Sequence, residues 1–215
     1  YALDHFGHGL SPGRRGDIGN FDDYSADLCR FIRLVRHENP GLSVHLLGHS
    51  LGGVIACGSV VKAAGEGVAE ECSVDSLVLS APAFAGCSEP GAVEAGLVRL
   101  LAKISPALSL SNRLNERWIS SDPEVVEAYR ADDLVHDRVT PRWFESYQQA
   151  RSHLLAQAQS VTVPCLLLLP GDDKLVDATV SRDWFDCLPG RDHQLRVFPG
   201  AYLEVLNEPH AAEDA

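Results

Sequence analysis

The sequence lacks long apolar runs and an excess of positive charge, and each absence removes a class of protein. No stretch approaches the roughly 18 consecutive apolar residues that a membrane-spanning helix requires. The 215 residues carry 18 Lys and Arg against 30 Asp and Glu, a formal net charge of -12. This acidic balance argues against nucleic acid or an anionic membrane surface as an electrostatic partner. It leaves contact between an apolar surface and lipid open.

The sequence also lacks any C-x-x-C pair, although it contains six cysteines. That spacing is typical of zinc sites and redox motifs. Several of the cysteines lie inside apolar runs, as buried thiols do. We therefore interpret them as reduced core cysteines of a cytoplasmic protein rather than as a disulfide framework.

Short apolar stretches alternate with helical patterns towards both ends of the chain. Strands are predicted at residues 44–47, 76–80, 163–171 and 195–198, and the opening Ala2-Leu3 is interpreted as the end of another strand. Helices are predicted at residues 20–39, 51–64 and 179–188, the first of them capped by Asn20. Strands that alternate with helices indicate an α/β fold with a parallel sheet covered on both faces.

The middle of the chain has a different pattern. Apolar helical stretches alternate with charged ones from about residue 84 to about residue 160, and no strands are predicted there. We interpret residues 84–160 as a helical cap inserted between two strands. The core domain is then formed by residues 1–83 and 161–215.

One short motif carries chemistry, G-H-S-L-G-G at Gly48 to Gly53, between a predicted strand and a predicted helix. G-x-S-x-G in this setting is the pattern of a nucleophile elbow, a tight turn that projects its serine, Ser50. Gly48 and Gly52 are interpreted as the small residues that the turn requires. The helix start offers free N–H groups, so the backbone N–H of Leu51 is the expected oxyanion donor. The alternative is a glycine-rich turn with an idle serine.

A serine nucleophile in this fold needs a carboxylate later in the chain, at the carboxyl end of a strand. The stretch G-D-D-K-L-V-D follows the apolar run 163–171 and lies at that position. Asp172 and Asp173 are both candidates for the acid. The alternative is that both are solvated turn aspartates.

Five stretches together resemble the monoacylglycerol lipase and lysophospholipase-like branch of the α/β-hydrolases, of the serine aminopeptidase type. They are D-H-F-G-H-G-L-S, G-H-S-L-G-G, D-P-E-V-V-E-A-Y-R-A-D-D-L-V, D-K-L-V-D and G-A-Y-L-E-V-L-N-E-P. The resemblance implies Ser50 as the nucleophile and Asp173 as the acid. It also implies a cap over an apolar pocket for a small lipid ester, and no cofactor or metal. Peripheral contact of the cap with a membrane is a further expectation.

The chain departs from that family at the base position, where the pattern G-x-Y-H-E has a histidine and this sequence has Leu203. Leucine cannot accept a proton, and the loss of a triad histidine costs on the order of 10⁶ in turnover. One interpretation is a monoacylglycerol or lysophospholipid hydrolase with another base, for which His210 is the first suspect. The others are a silenced relative that binds an acyl ligand or a partner, and an incomplete product without a function.

The family pattern also includes features that would precede residue 1, namely a second oxyanion donor and a strand beside the one that ends at Gly48. We therefore expect the chain to be a piece of a longer protein. Without the preceding strand, the strand that ends at Gly48 is expected to lie at an edge of the sheet.

His5 and His8 form H-x-x-H, a spacing seen in metal sites. The absence of a third ligand favours a structural role for them. His49 is expected to face away from Ser50.

Overall fold

The computed structural model describes residues 1–65 and 72–209. Within these ranges the strands are β1 His45–His49, β2 Ser76–Ser80, β3 Leu110–Ser111, β4 Arg138–Val139, β5 Cys165–Pro170 and β6 His193–Phe198. The α-helices are α1 Asp22–Glu38, α2 Leu51–Gly65, α3 Ala92–Ile104, α4 Pro123–Ala131, α5 Pro141–Ala156 and α6 Ala178–Asp186. Single 3₁₀ turns lie at Glu116–Trp118, Ala158–Ser160 and Val205–Asn207.

Four parallel strands form the main sheet in the order β1-β2-β5-β6, which confirms the predicted parallel α/β architecture. His49 lies opposite Ser80 in β2, and Pro170 lies opposite Phe198 in β6. The carboxyl ends of the four strands therefore meet at one edge of the sheet. In open parallel sheets that edge is where functional side chains collect.

The core consists of β5 and its neighbours, packed between helices. β5 reads C-L-L-L-L-P and is buried along almost its whole length, as expected for a central strand covered on both faces. α1 lies against α2, where Gly58 permits a close approach, because a Cβ there would meet Ser25 Oγ at 2.4 Å. The core cluster joins α1, α2 and the strands with Trp184 of α6.

The segment between β2 and β5 contains three of the helices but also two strands, so the prediction of no strands in residues 84–160 was wrong. β3 and β4 pair antiparallel, with Leu110 opposite Val139. Each is two residues long. That is too short to produce an alternating apolar pattern in the sequence. α3 packs against α5 within this segment.

Two expectations near the start of the chain need correction, and a third is met. Ala2 and Leu3 are not in a strand, and no described strand pairs with them. α1 begins at Asp22, where Asn20 Oδ1 accepts a hydrogen bond from the Asp22 N–H at 3.1 Å, so Asn20 acts one position before the cap. β1 pairs with β2 alone among the described strands and forms an edge of the sheet.

No described helix combines the length and apolar character needed to cross a membrane.

Candidate active site

Ser50 lies in a strained turn between β1 and α2. Its φ of 49° is in the left-handed region, which costs a non-glycine residue about 1–2 kcal/mol. Three backbone hydrogen bonds hold the turn: Ser50 N–H donates to Ser80 O at 2.9 Å, and Ser50 O accepts from Gly53 and Ala83 N–H at 3.0 Å each. The predicted elbow geometry is therefore present, with Leu51 as the first residue of the following helix.

The three glycines around Ser50 differ in how much room the structure leaves for a side chain. A Cβ at Gly48 would lie 2.5 Å from Gly52 O and 2.8 Å from Ala56 Cβ, so this position has no room for a side chain. A Cβ at Gly53 would lie 2.8 Å from Pro82 Cβ. At Gly52 it would meet nothing within 4 Å. The expectation for Gly48 is met, the one for Gly52 was wrong, and Gly53 was missed because Pro82 is distant in sequence.

Asp173 lies in the loop after β5, and one of its carboxylate oxygens accepts two backbone hydrogen bonds. Oδ1 accepts hydrogen bonds from the N–H groups of Leu175 at 2.8 Å and Val176 at 3.0 Å. Oδ2 is buried and has no hydrogen-bond partner among the described residues. Burial raises the pKa of this carboxyl above its usual range, against the lowering effect of the two N–H groups and of His49. Asp172 is exposed and Asp173 is half-buried, so Asp173 is the more buried of the two candidates.

Leu203, at the position where the sequence pattern predicts a base, is a buried aliphatic side chain that is 5% exposed. Together with Ala81, Ile119, Val126 and Val176 it forms an apolar cluster, which we call the Leu203 cluster. Val176 follows the Asp173 turn, and Ala81 follows Ser80, whose carbonyl binds Ser50. The Leu203 side chain thus packs against residues that follow Asp173 and Ser80 in their loops.

The ring of His49 contacts two groups other than Ser50. Nδ1 lies 3.2 Å from Ser80 Oγ. Nε2 lies 3.2 Å from Glu204 Oε1, a distance at which the two groups can form an ion pair. This agrees with the expectation that His49 faces away from Ser50. Glu204 was not among the residues predicted from the sequence, although it directly follows Leu203. His210, the other suspected base, lies outside the described residues.

His5 and His8 belong to a loop that contacts the segment before β4. The rings of His8 and His136 have centroids 5.0 Å apart, and the His5 ring meets Tyr24 edge-on at 5.4 Å. Burial lowers the pKa of all three histidines. In the described part of the chain, no group of three or more His, Cys, Asp or Glu side chains is arranged to hold a metal ion. The described contacts of His5 and His8 include ring contacts with Tyr24 and His136.

A cleft of about 350 Å³ adjoins the Leu203 cluster. Leu114 and Tyr129 line this cleft and also pack against the cluster. Apart from Val135, the remaining lining is polar and comes mainly from residues between α4 and β4, with Arg130 and Arg138 at the two ends of that stretch. The cleft is thus next to the Leu203 cluster.

The family model described as serine aminopeptidase, S33, matches residues 1–210. The chain belongs to this serine aminopeptidase S33 family. The match confirms the resemblance that the five motifs indicated, and it covers both the Ser50 turn and the loop with Leu203.

Relatives of this S33 chain include lipases. A monoacylglycerol lipase from Mycolicibacterium smegmatis is 32% identical over 210 residues, which are 97% of this chain and 72% of that protein. The phospholipase YtpA of Bacillus subtilis is 28% identical over 94% of this chain and 76% of its own length. The crystal structure of the Paleococcus ferrophilus monoacylglycerol lipase is similar with a TM-score of 0.83 and 30% identity, over 100% of this chain and 79% of that one. The chain has the α/β-hydrolase fold of these relatives.

Proposed function

We propose that this chain has the ester site of a monoacylglycerol lipase-type serine hydrolase, and that Leu203 silences its turnover. The observation that carries the proposal is the buried leucine at the base position, beside an Asp173 carboxylate with one unpartnered oxygen. The names of the relatives support carboxylic esters of monoacylglycerol or lysophospholipid type as the ligand class. The segment 84–160 is proposed as the cap that receives the acyl chain.

In this proposal Ser50 is the nucleophile and Asp173 the acid. Ser50 Oγ would bond to the ester carbonyl carbon, and the N–H of Leu51 at the start of α2 would stabilise the oxyanion. The Ser50 proton must pass through a base to the departing alcohol. Leu203 accepts no proton, and His49 is held by Ser80 and Glu204. The acyl-enzyme therefore has no route to form at a useful rate from the described residues.

A second candidate function is turnover with a base from elsewhere in the chain. The observation in its favour is the intact strained turn at Ser50, which costs stability without a benefit in a silenced protein. His210 is the residue to test for this role.

Covalent labelling with a fluorophosphonate probe separates the two candidates. We expect no adduct on the chain as it stands and an adduct at Ser50, located by mass spectrometry, in Leu203→His. Leu203→Ala is the matched control, because it removes the leucine without supplying a base. Ser50→Ala in the Leu203→His background should abolish labelling. An adduct at Ser50 of the unaltered chain would overturn silencing, and His210→Asn would then test the substitute base.

We also propose that the cap contacts an uncharged or zwitterionic membrane surface. Val93, Leu97, Leu100 and Ile104 recur on one face of α3, and each is more than half exposed. Such a face suits insertion at a lipid interface. Leu97→Ser with Leu100→Ser should lower sedimentation of the chain with phosphatidylcholine vesicles. Unchanged sedimentation would contradict this contact.

A cytoplasmic location is part of the proposal as well. None of the six cysteines, all of which the structure describes, forms a disulfide. Cys57 and Cys165 lie in the core, where burial raises their pKa, to about 12 for Cys165. Protonated, buried thiols fit a reducing compartment.

A further inference from the structure

Glu204 connects the loop that carries position 203 to the turn that carries Ser50. It follows Leu203 in the chain, and its Oε1 lies 3.2 Å from Nε2 of His49, the residue before Ser50. His49 Nδ1 in turn lies 3.2 Å from Ser80 Oγ. The ends of β1 and β2 and the loop after β6 therefore meet at one histidine ring.

The contact between Glu204 and His49 is partly shielded from solvent and favours a charged carboxylate. The two side chains are 24% and 26% exposed. The nearby His49 ring is the main cause that lowers the pKa of Glu204, and burial opposes it. The other carboxylate oxygen, Oε2, accepts a hydrogen bond from Asn207 Nδ2 at 3.0 Å. Both oxygens of Glu204 are thus used to fix the side chain.

Other contacts hold the same loop to different parts of the molecule. Glu204 N–H donates to Ile119 O at 2.8 Å, which ties the loop to the segment between β2 and β5. Asp172 N–H donates to Ala201 O at 3.0 Å, and the Lys174 ammonium lies 3.8 Å from the centre of the Tyr202 ring. These contacts reach the Asp173 loop. The side chain of Glu204 adds the contact with the Ser50 turn.

We propose that Glu204 is a positioning residue, which holds position 203 in place relative to Ser50 through His49. The inference rests on the proposed function, because it matters for chemistry only where position 203 carries a base. A base must lie about 2.6–3.2 Å from the nucleophile oxygen. A displacement of about 1 Å can lower a rate by about 10²-fold. A loop that is held both to the Ser50 turn and to the Asp173 loop would keep position 203 in the same place relative to Ser50, even with leucine at that position.

Hydrogen–deuterium exchange on the chain as it stands tests the connection without any activity. Glu204→Gln keeps the size of the side chain and removes its charge. We expect the amides of residues 48–53 and 200–207 to exchange together, about fivefold faster than in the unaltered chain. His49→Gln should give the same pattern, and the double variant should exchange no faster than the faster single variant.

Glu208→Gln is the matched control in the same loop. Glu208 accepts hydrogen bonds from Ser121 N–H at 2.7 Å and Tyr202 N–H at 3.4 Å. Its loss should therefore speed exchange near residues 119–122 and 202–208 and leave residues 48–53 unchanged. Unchanged exchange at 48–53 in Glu204→Gln, or equal effects of both variants there, would overturn the positioning role.

Kinetics in the Leu203→His background distinguish positioning from general stability. Adding Glu204→Gln should lower kcat on a short ester about fivefold with little change in KM, at an unchanged fraction of folded protein. Glu204→Asp, which keeps the charge with a shorter reach, should restore part of the loss. An unchanged kcat would overturn the inference and leave the proposed function intact. A Leu203→His chain that neither labels nor turns over would instead contradict the proposed function, while the exchange experiment still decides the role of Glu204.

Discussion

Asp173 has a buried carboxylate oxygen without a hydrogen-bond partner among the described residues. In a complete triad the histidine would bind the free carboxylate oxygen. Here Oδ2 is buried without a hydrogen-bond partner among the described residues, and the nearby Leu203 is apolar. An unsatisfied buried oxygen costs about 1–3 kcal/mol, more when it is charged. This unsatisfied oxygen should therefore lower the stability of the fold.

Asp173→Asn should stabilise the chain by about 1 kcal/mol at neutral pH. The amide oxygen can still accept from Leu175 and Val176 N–H, while the buried charge is lost. Since the folded-state pKa is raised, the carboxyl favours folding most below its unfolded pKa of about 3.9, and this contribution is lost as pH rises through the folded value. Urea unfolding at several pH values measures the effect, with exposed Asp172→Asn as the control. Equal stability at pH 7 would contradict the prediction.

The glycines beside Ser50 give a matched pair of substitutions. Gly48→Ala should destabilise the chain by about 1–3 kcal/mol, because the new methyl would overlap Gly52 O and Ala56. Gly52→Ala should be neutral or stabilising by up to about 1 kcal/mol, because the position is helical and open. Thermal unfolding of both variants checks the order. A greater loss for Gly52→Ala would show that the turn is packed differently.

The sequence predicted the tight turn at Ser50 but not the long-range contacts around it. Ser50 and Gly48 belong to one short motif whose pattern predicts that turn, whereas the choice of Asp173 over Asp172 came from the family resemblance. Glu204 and Gly53 were missed because their roles depend on His49 and Pro82, which tertiary structure brings close. No pattern within a short stretch records such a pair.

Helices and strands were predictable where one apolar pattern, continuous or periodic, extends over several residues. β2 matches its predicted range, and β5 lies within its predicted run, because a fully buried strand is a continuous apolar stretch. α2 was predicted to within one residue. β3 and β4 were missed because a strand of two residues is too short to show an alternating pattern. Ala2-Leu3 was interpreted as the end of a strand from the local sequence alone, and it pairs with no described strand.

The N-terminal loop and α5 are joined by a partly buried ion pair. Arg142 Nε donates to Asp17 Oδ1 at 2.6 Å, and Thr140 Oγ1 donates to the same oxygen at 2.7 Å. The Arg142 hydrogen bond is the main cause that lowers the pKa of Asp17. This pair ties the segment between β2 and β5 to the rest of the molecule.

Arg142→Met should destabilise the chain by about 2–3 kcal/mol, because it leaves the Asp17 carboxylate buried without its cation. The loss of a fully buried partner costs about 3–5 kcal/mol, and Arg142, whose side chain is 41% exposed, is partly screened by water. Arg99→Met is the control, since Arg99 is 68% exposed and 3.8 Å from Glu145. It should change stability by less than about 0.5 kcal/mol. Urea midpoints compare the two, and equal losses would contradict the role of the pair.

At the scale of the whole molecule, the histidine contacts between the N-terminal loop and the segment before β4 should make stability depend on pH. His8 and His136 have ring centroids 5.0 Å apart, and charge on one ring disfavours charge on the other. Asp4 and Asp137 oppose this effect, while Arg15 adds to it. Burial is the largest cause, and it favours the neutral form of both rings.

Stability should therefore fall as pH drops below about 6.5, the unfolded pKa of histidine. Since the folded-state pKa values are lowered, the unfolded chain binds more protons in this range, and acid favours unfolding. His136→Asn should flatten the decline between pH 7 and pH 5.5, whereas exposed His37→Asn should leave it unchanged. Urea unfolding across this range measures both slopes. If His136→Asn keeps the full decline, the pH dependence arises elsewhere, and the contact between His8 and His136 is not what makes the folded chain sensitive to acid.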